Sequence, residues 1–391
     1  NAVGVTVQAQ AANDAIALSV NINGAVIGAG SGSTLTATVS ELATVEAIVG
    51  EEGQAAATTG NVLVDALSAN TADANSLANS GALFSASKMT TEATVAGATR
   101  AIVDGDIVNA ANVTVKAHGA NDADAISDGL SVGLAGGGTG LSTTATVTAD
   151  AVVEALVGSE PAKTPVMTTI GGDVLVEALA TNTATATTPG NSGSIIIALN
   201  DLTTNASVGG ATRALMDGVI QSARSLTVNA GTGLADPADP MSVITGQNTA
   251  LATGKSESGA VVGAGGKVTT GAEVTGFADV EALIGLDARV TLTTGATVVD
   301  ALSANTANAT MRADAGAVGG TGSTINGTAS VGGATLARLD GDILNAVGVT
   351  VQAQAANDAI ALSVNINGAV IGAGSGSTLT ATVSELATVE A

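Results

Sequence analysis

Residues 1–47, NAVGVTVQAQAANDAIALSVNINGAVIGAGSGSTLTATVSELATVEA, recur letter for letter as residues 345–391. The chain is thus one period of 344 residues plus an overlap. An identity of this length reads as a window from a longer tandem array. It comes before every other signal, because a missed period misassigns the whole fold. Inside the repeated stretch, Val3, Val5 and Val7 alternate with smaller or polar residues, which is the period of a strand.

Working outward, a second and looser repeat appears. Glu46, Glu154, Glu281 and Glu390 sit in the phrases TVEAIVG, VVEALVG, DVEALIG and TVEA, at spacings of 108, 127 and 109. Between them lie ATRAIVDG (residues 98–105), ATRALMDG (211–218) and ATLARLDG (334–341). Six units of about 54 to 68 residues result, in two alternating types. Each carries one short alternating phrase, at residues 5–9, 62–66, 113–117, 174–178, 226–230, 297–301 and 349–353. Gly, Thr, Ser and Asn interrupt nearly every window in which a helix could propagate.

Composition narrows the fold further. Gly occurs 51 times and Phe twice, with no Trp, Tyr or Cys, yet 46% of residues are hydrophobic. That apolar content is mostly Ala and Val, which suits a thin interior between closely spaced sheets. The pattern predicts an all-β fold, a β-solenoid of the parallel β-helix type, built from six stacked units per period. Residues 1–391 form one continuous array. One wide coil per unit is the favoured reading, since each unit holds one strand phrase. All five prolines fall within residues 154–280, which predicts loop insertions near 158–172, 187–193 and 231–243. The uncharged stretch 15–40 carries too many Asn, Ser and Thr residues for a membrane-spanning helix and reads as strands.

Two columns of equivalent residues alternate in charge. One runs Glu46, Arg100, Glu154, Arg213, Glu281, then Leu336 with Arg338 close by, then Glu390. The other runs Asp65, Lys116, Glu177, Asn229, Asp300, Gln352. Strands stacked about 4.8 Å apart would place like charges in mutual repulsion at every step. The observed order avoids that, so both columns are expected to face their counterparts in the next unit.

Function classes can be excluded on composition. A formal net charge of −23 repels phosphate backbones, so nucleic acid is not an expected partner. With zero Cys there is no disulfide, thiolate metal site or thiol catalysis. Gly254-Lys255-Ser256 lacks the upstream Gly of a phosphate-binding loop, because Thr249 stands there. His118 is the sole histidine and supports no metal cluster. The pair Asp122 and Asp124 lacks the aromatic platforms of sugar-cleaving sites. Asp104, Asp106, Asp217, Asp340 and Asp342 lie in Asp-Gly turns; turn chemistry is their first reading and calcium their second. Thr-rich runs such as residues 143–148 form no fixed column and read as strand propensity before ice binding. No enzyme is expected.

The phrase order, a Thr/Val/Ala strand ending in AxVG or DG, then GNVLVDA or ANVTVKA, then a polar Asn/Ala/Ser run, resembles the repeat regions of very large filamentous haemagglutinin-like bacterial surface adhesins. That resemblance implies secretion, an extended β-solenoid and an extracellular, cell-surface location. It transfers no site residue. The expected role is a structural repeat of an extracellular filament, stalk or surface fibre. Its partners would be further copies of the repeat along the axis, with neighbouring fibres or cell surfaces beside it. The alternative is an adhesin repeat with a binding face on the Pro-bearing insertions; an ice-binding role ranks below both.

Overall fold

Alternation of small inward residues with outward polar ones continues far beyond the short phrases, and the strands are correspondingly long. The computed structural model describes residues 2–159, 164–168, 170–231 and 248–391. Among these residues the chain is all-β, with three parallel sheets of 13, 7 and 6 strands and no helix. No helix is therefore long and apolar enough to cross a membrane.

Each unit contributes to all three sheets in the same order. In the first unit a long arm, Val5–Gly24, is followed by a second arm, Gly28–Val39, and by short strands Val45–Val49 and Gln54–Ala56. In the next two units strand pairing runs from first arm to second through the reversal between them, as Val62–Val95 and Val113–Val147. Every strand pairs in parallel with its equivalent one unit on: Val5 opposes Val62, Val62 opposes Val113, and Val113 opposes Val174. One unit thus advances the two smaller sheets by one strand and adds both of its arms to the large sheet.

The corner from second arm to short strand is a glycine turn where the chain needs it. Gly210 and Gly333 adopt φ of 95° and 90°, in the left-handed region that disfavours side chains. In both places, a Cβ would also press on the backbone of the unit beneath, at Ala151 or Ala278.

Within each unit, the base of the first arm packs against the two short strands. Val62, Val64 and Ala66 share one core with Ala101, Val103 and Ile107. The distal part of that arm lies on the second arm instead. Ala72, Ala74 and Ala78 share a second core with Met89, Ala93 and Val95. Among these alanines, hydroxyls meet directly within a unit, Ser76 with Thr91 at 2.6 Å and Thr204 with Thr188 at 2.7 Å, and between units, Thr188 with Thr143 at 2.7 Å.

One expected loop is instead a strand. Residues 187–193 lie within Asp173–Ser194, where Pro189 opposes Lys255 of the following unit. Pairing with the preceding unit skips Thr188 and Pro189 and resumes at Gly190 opposite Gly129. Proline lacks only the N–H, so one ladder position is lost and the strand continues. Of the insertion near 158–172, Val166–Thr168 is a strand of the six-stranded sheet, and Pro165 accepts a bond from the Val219 N–H at 2.9 Å. Pro161, Pro237 and Pro240, with nearly all of 231–243, lie outside the described residues.

Candidate functional site: ladders along the stacking direction

In-register parallel pairing brings equivalent side chains one above another, so a column in the sequence becomes a row in space. On the seven-stranded sheet, Glu46, Arg100, Glu154, Arg213 and Glu281 are successive register partners. Arg100 bonds Glu46 at 3.2 Å and Glu154 at 2.8 Å. Arg213 bonds Glu154 at 3.5 Å and Glu281 at 2.6 Å. Burial opposes the charge on Arg100, yet its bonds to Glu154 and Glu46 hold the guanidinium above its ordinary pKa.

The row changes at the sixth unit. Leu336, not Arg338, stands opposite both Glu281 and Glu390. Arg338 lies two residues along the same strand face, opposite Leu283, and bonds Asp340 at 2.6 Å. A two-residue shift preserves the face but moves the side chain about 6.6 Å along the strand, out of the row. Arg338 therefore does not belong to the charge ladder.

The second column is also in register, from Asp65 through Lys116, Glu177, Asn229 and Asp300 to Gln352. Its contacts are uneven. Gln8 donates to Asp65 at 3.1 Å, and Glu177 binds Lys116 at 3.2 Å and His118 at 3.1 Å. The bond from His118, aided by the charge of Lys116 and opposed by burial, holds Glu177 below the usual carboxylate range. The amide of Asn229 is buried with neither atom partnered among the described residues, and burial pushes Asp300 up.

A third row was not anticipated, and it is the most regular. Asn13, Asn70, Asn121, Asn182, Asn248, Asn305 and Asn357 stack in register, each amide donating to the next at 2.8 to 2.9 Å. It lies between the two apolar cores. Asn70, Asn121, Asn182, Asn248 and Asn305 are almost wholly buried. The signal was present: every one is followed by Asp or Thr and then Ala. It sits eight residues into each arm, except in the fifth unit, where the insertion breaks the count.

Four of the five turn aspartates form bonds within or between units, and the fifth, Asp342, is placed by register. Asp104 accepts bonds from the Ser159 N–H at 2.7 Å and from the Ser159 hydroxyl at 2.8 Å. Asp106 accepts the Val166 N–H at 3.0 Å, and Asp217 accepts the Asp287 N–H at 2.9 Å. Burial pushes Asp217 up against that bond. Asp340 holds Arg338, and Asp342 pairs in register with Arg289. Among the described residues, no group of three or more His, Asp or Glu could hold a metal ion. Asp122 and Asp124 lie beside Asp73, and burial with that like charge pushes both up.

Outside, a shallow groove of about 590 Å³ runs over the second arms, floored by Gly138, Gly140, Gly265 and Gly322 and edged by Lys88, Leu199 and Lys267. The chain matches no family model, no curated protein and no solved structure.

Proposed function

We propose that this chain is a structural repeat of an extended fibre, a β-solenoid of the parallel β-helix type that lengthens by coil-on-coil stacking. The observation that carries the reading is the behaviour of the repeated 47 residues. As Val5–Gly24, the stretch pairs along one edge with the second unit; as Val349–Ala369, the same sequence pairs along its other edge with the sixth. Both edges of one strand sequence thus have a partner within the period, so a further period can follow without a new interface. Matching ladders continue through that junction: Asn13 donates to Asn70, while Asn357 accepts from Asn305.

The role proposed is mechanical, with length set by the number of periods, rather than catalytic. The place proposed is outside the cell, in a filament, stalk or surface fibre, in keeping with the adhesin-repeat resemblance. Its partners are further copies of the repeat along the axis. Six units per period at about 4.8 Å each give an axial repeat of about 29 Å. Fibre diffraction or cryo-electron microscopy of the native material tests this. Filaments with a meridional spacing near 4.8 Å and a period near 29 Å are expected; discrete particles with neither spacing overturn it.

A further inference from the structure

The turn joining the two arms is apolar in every unit, although the chain is strongly acidic. It reads Ala-Val-Ile-Gly at residues 25–28, Ala-Leu-Phe-Ser at 82–85, Gly-Leu-Ala-Gly at 133–136, Ser-Ile-Ile-Ile at 194–197, Ala-Val-Val-Gly at 260–263 and Ala-Val-Gly-Gly at 317–320. None of these turns contains a charge. Parallel stacking sets them one above another, so they form a ridge along the distal edge. In the interior units Phe84, Leu134, Ile196, Val262 and Val318 are 43% to 59% exposed.

Local packing does not require such residues. They lie outside both cores, and a turn of this kind is ordinarily built from Gly, Asn, Asp or Ser. An exposed apolar strip that recurs at every unit marks an interaction surface. With one to three such side chains in each of five interior units, all about half exposed, the ridge offers at most about 700 Å². That is a little below what one partner contributes to a standard protein interface.

We propose that the distal ridge is the contact between two stacks, its occupant being a second copy of this chain lying alongside. Charge restricts where such a copy can sit: at −23 per chain, two copies repel over most approaches, and the uncharged ridge is a line along which they can meet. Symmetry is what favours a second copy. The ridge repeats at the unit rise of about 4.8 Å, so two ridges side by side meet again at every unit, as a self-complementary surface requires. Next to it, Gly138 and Gly322 present no side chain on the outward face of the second arm, which allows close approach. The same acidity disfavours anionic lipid. The inference needs the stacking of units but not continuation into a fibre, so the two readings can fail separately.

The test is mass per unit length by small-angle scattering, on the intact chain and on a variant carrying Ile195→Ser, Ile196→Ser, Val261→Ser and Val262→Ser. The intact chain is expected to give twice the value of the variant, with pairing that strengthens as salt screens the charge. A control variant, Phe277→Ser with Leu286→Ser, removes exposed apolar groups off the ridge and is expected to stay paired. If the fourfold variant loses its β-sheet circular dichroism, Ile196→Lys alone serves, since a lysine at that exposed turn leaves both cores intact. Single stacks for the intact chain at every salt concentration overturn the proposal, as does pairing that survives in the ridge variants or is lost in the control. Single stacks that bind phosphatidylcholine vesicles through the ridge also overturn it, in favour of a lipid surface. An axial period near 29 Å in unpaired stacks would leave the fibre reading standing alone.

Discussion

The two ends of each unit solve the same packing problem with different side chains. At the base, three strand directions meet around Val, Ile, Leu and Met, including Ile107, Met167, Ile220 and Leu292, all fully buried. Toward the tip only two arms face each other: the first arm contributes mainly Ala, the second supplies Met89, Leu141, Leu202 and Ile325, and Ser and Thr hydroxyls pair beside them. The buried Asn row runs between them. Both interiors are close-packed, so a change of volume on one strand must be met by its neighbours.

Size complementarity at the tip makes this visible. The second, third and fourth units oppose a Ser or Thr on the first arm to a Thr on the second, as in Ser76 with Thr91. In the sixth unit the equivalent positions are Met311 and Gly327, and a Cβ on Gly327 would collide with the Met311 terminal methyl. In the fifth, a Cβ on Gly254 would press on Val268 at 2.6 Å and on Thr270 at 2.9 Å. In the sixth unit a larger residue on one arm is matched by the loss of a side chain on the other.

The largest break in the comparison should come at the boundary between the two halves. Asn182→Leu leaves the Asn121 amide without an acceptor and the Asn248 carbonyl without a donor. At about 1–3 kcal/mol for each orphaned group, a loss of about 4 kcal/mol is expected from denaturant unfolding. Loss of under about 1 kcal/mol would show that the row merely fills space.

Next comes the thin tip itself. Gly327→Thr alone is expected to cost about 1–3 kcal/mol by overpacking against Met311. Combining it with Met311→Ser recreates the Ser/Thr pair of the second and third units and should recover most of that loss. A double-mutant cycle reads the coupling; simple additivity would mean that the arms are not in rigid contact there.

A smaller effect belongs to the outer face of the base. Arg213→Glu puts three carboxylates in succession where two ion pairs stood. Arg213 is 39% exposed, so solvent screening limits the cost to about 1 kcal/mol, best seen as a lowered melting temperature at low salt and fading in high salt.

The smallest shifts depend on pH and carry opposite signs. Glu177 is held below its unfolded pKa, so its stabilisation is present above the unfolded value and is lost as pH falls through the folded one. Glu177→Gln should therefore lower the melting temperature at pH 7, with a difference that vanishes in acid. Asp124 is pushed up, so its ionised form weakens the fold at neutral pH, and stability is regained as pH falls through the raised value. Asp124→Asn should raise the melting temperature at pH 7, and that gain too should disappear below the ordinary carboxylate range. Differences of the same sign in the two variants would contradict these assignments.

Much of this was legible in the letters. The strand phrases, the alternation of Glu with Arg, and the one-unit step all follow from repeated spacing, because in-register stacking turns sequence equivalence into spatial adjacency. The length of the arms was harder to read. Beyond the strand phrases, the inward residues of the first arm are mainly Ala, Ser, Asn and Gly, which lack the strand propensity of Val or Ile and become strand-forming only when a neighbouring unit supplies the ladder. The Asn row was equally open to reading, but a lone Asn suggests a turn until its neighbours one unit away are placed against it. Pro189 shows the converse: proline argued for a loop, yet the flanking strands hold the chain extended.

The sequence alone determined the period, the strand register and the identity of the stacked columns, since repetition encodes which residues are equivalent. Only the tertiary structure decided which of those columns face inward. It placed Arg338 outside the charge row, matched Met311 to Gly327 across the tip, and left the apolar turns on the outside. The reason is physical: register depends on spacing along the chain, whereas inside and outside depend on how two arms fold over each other.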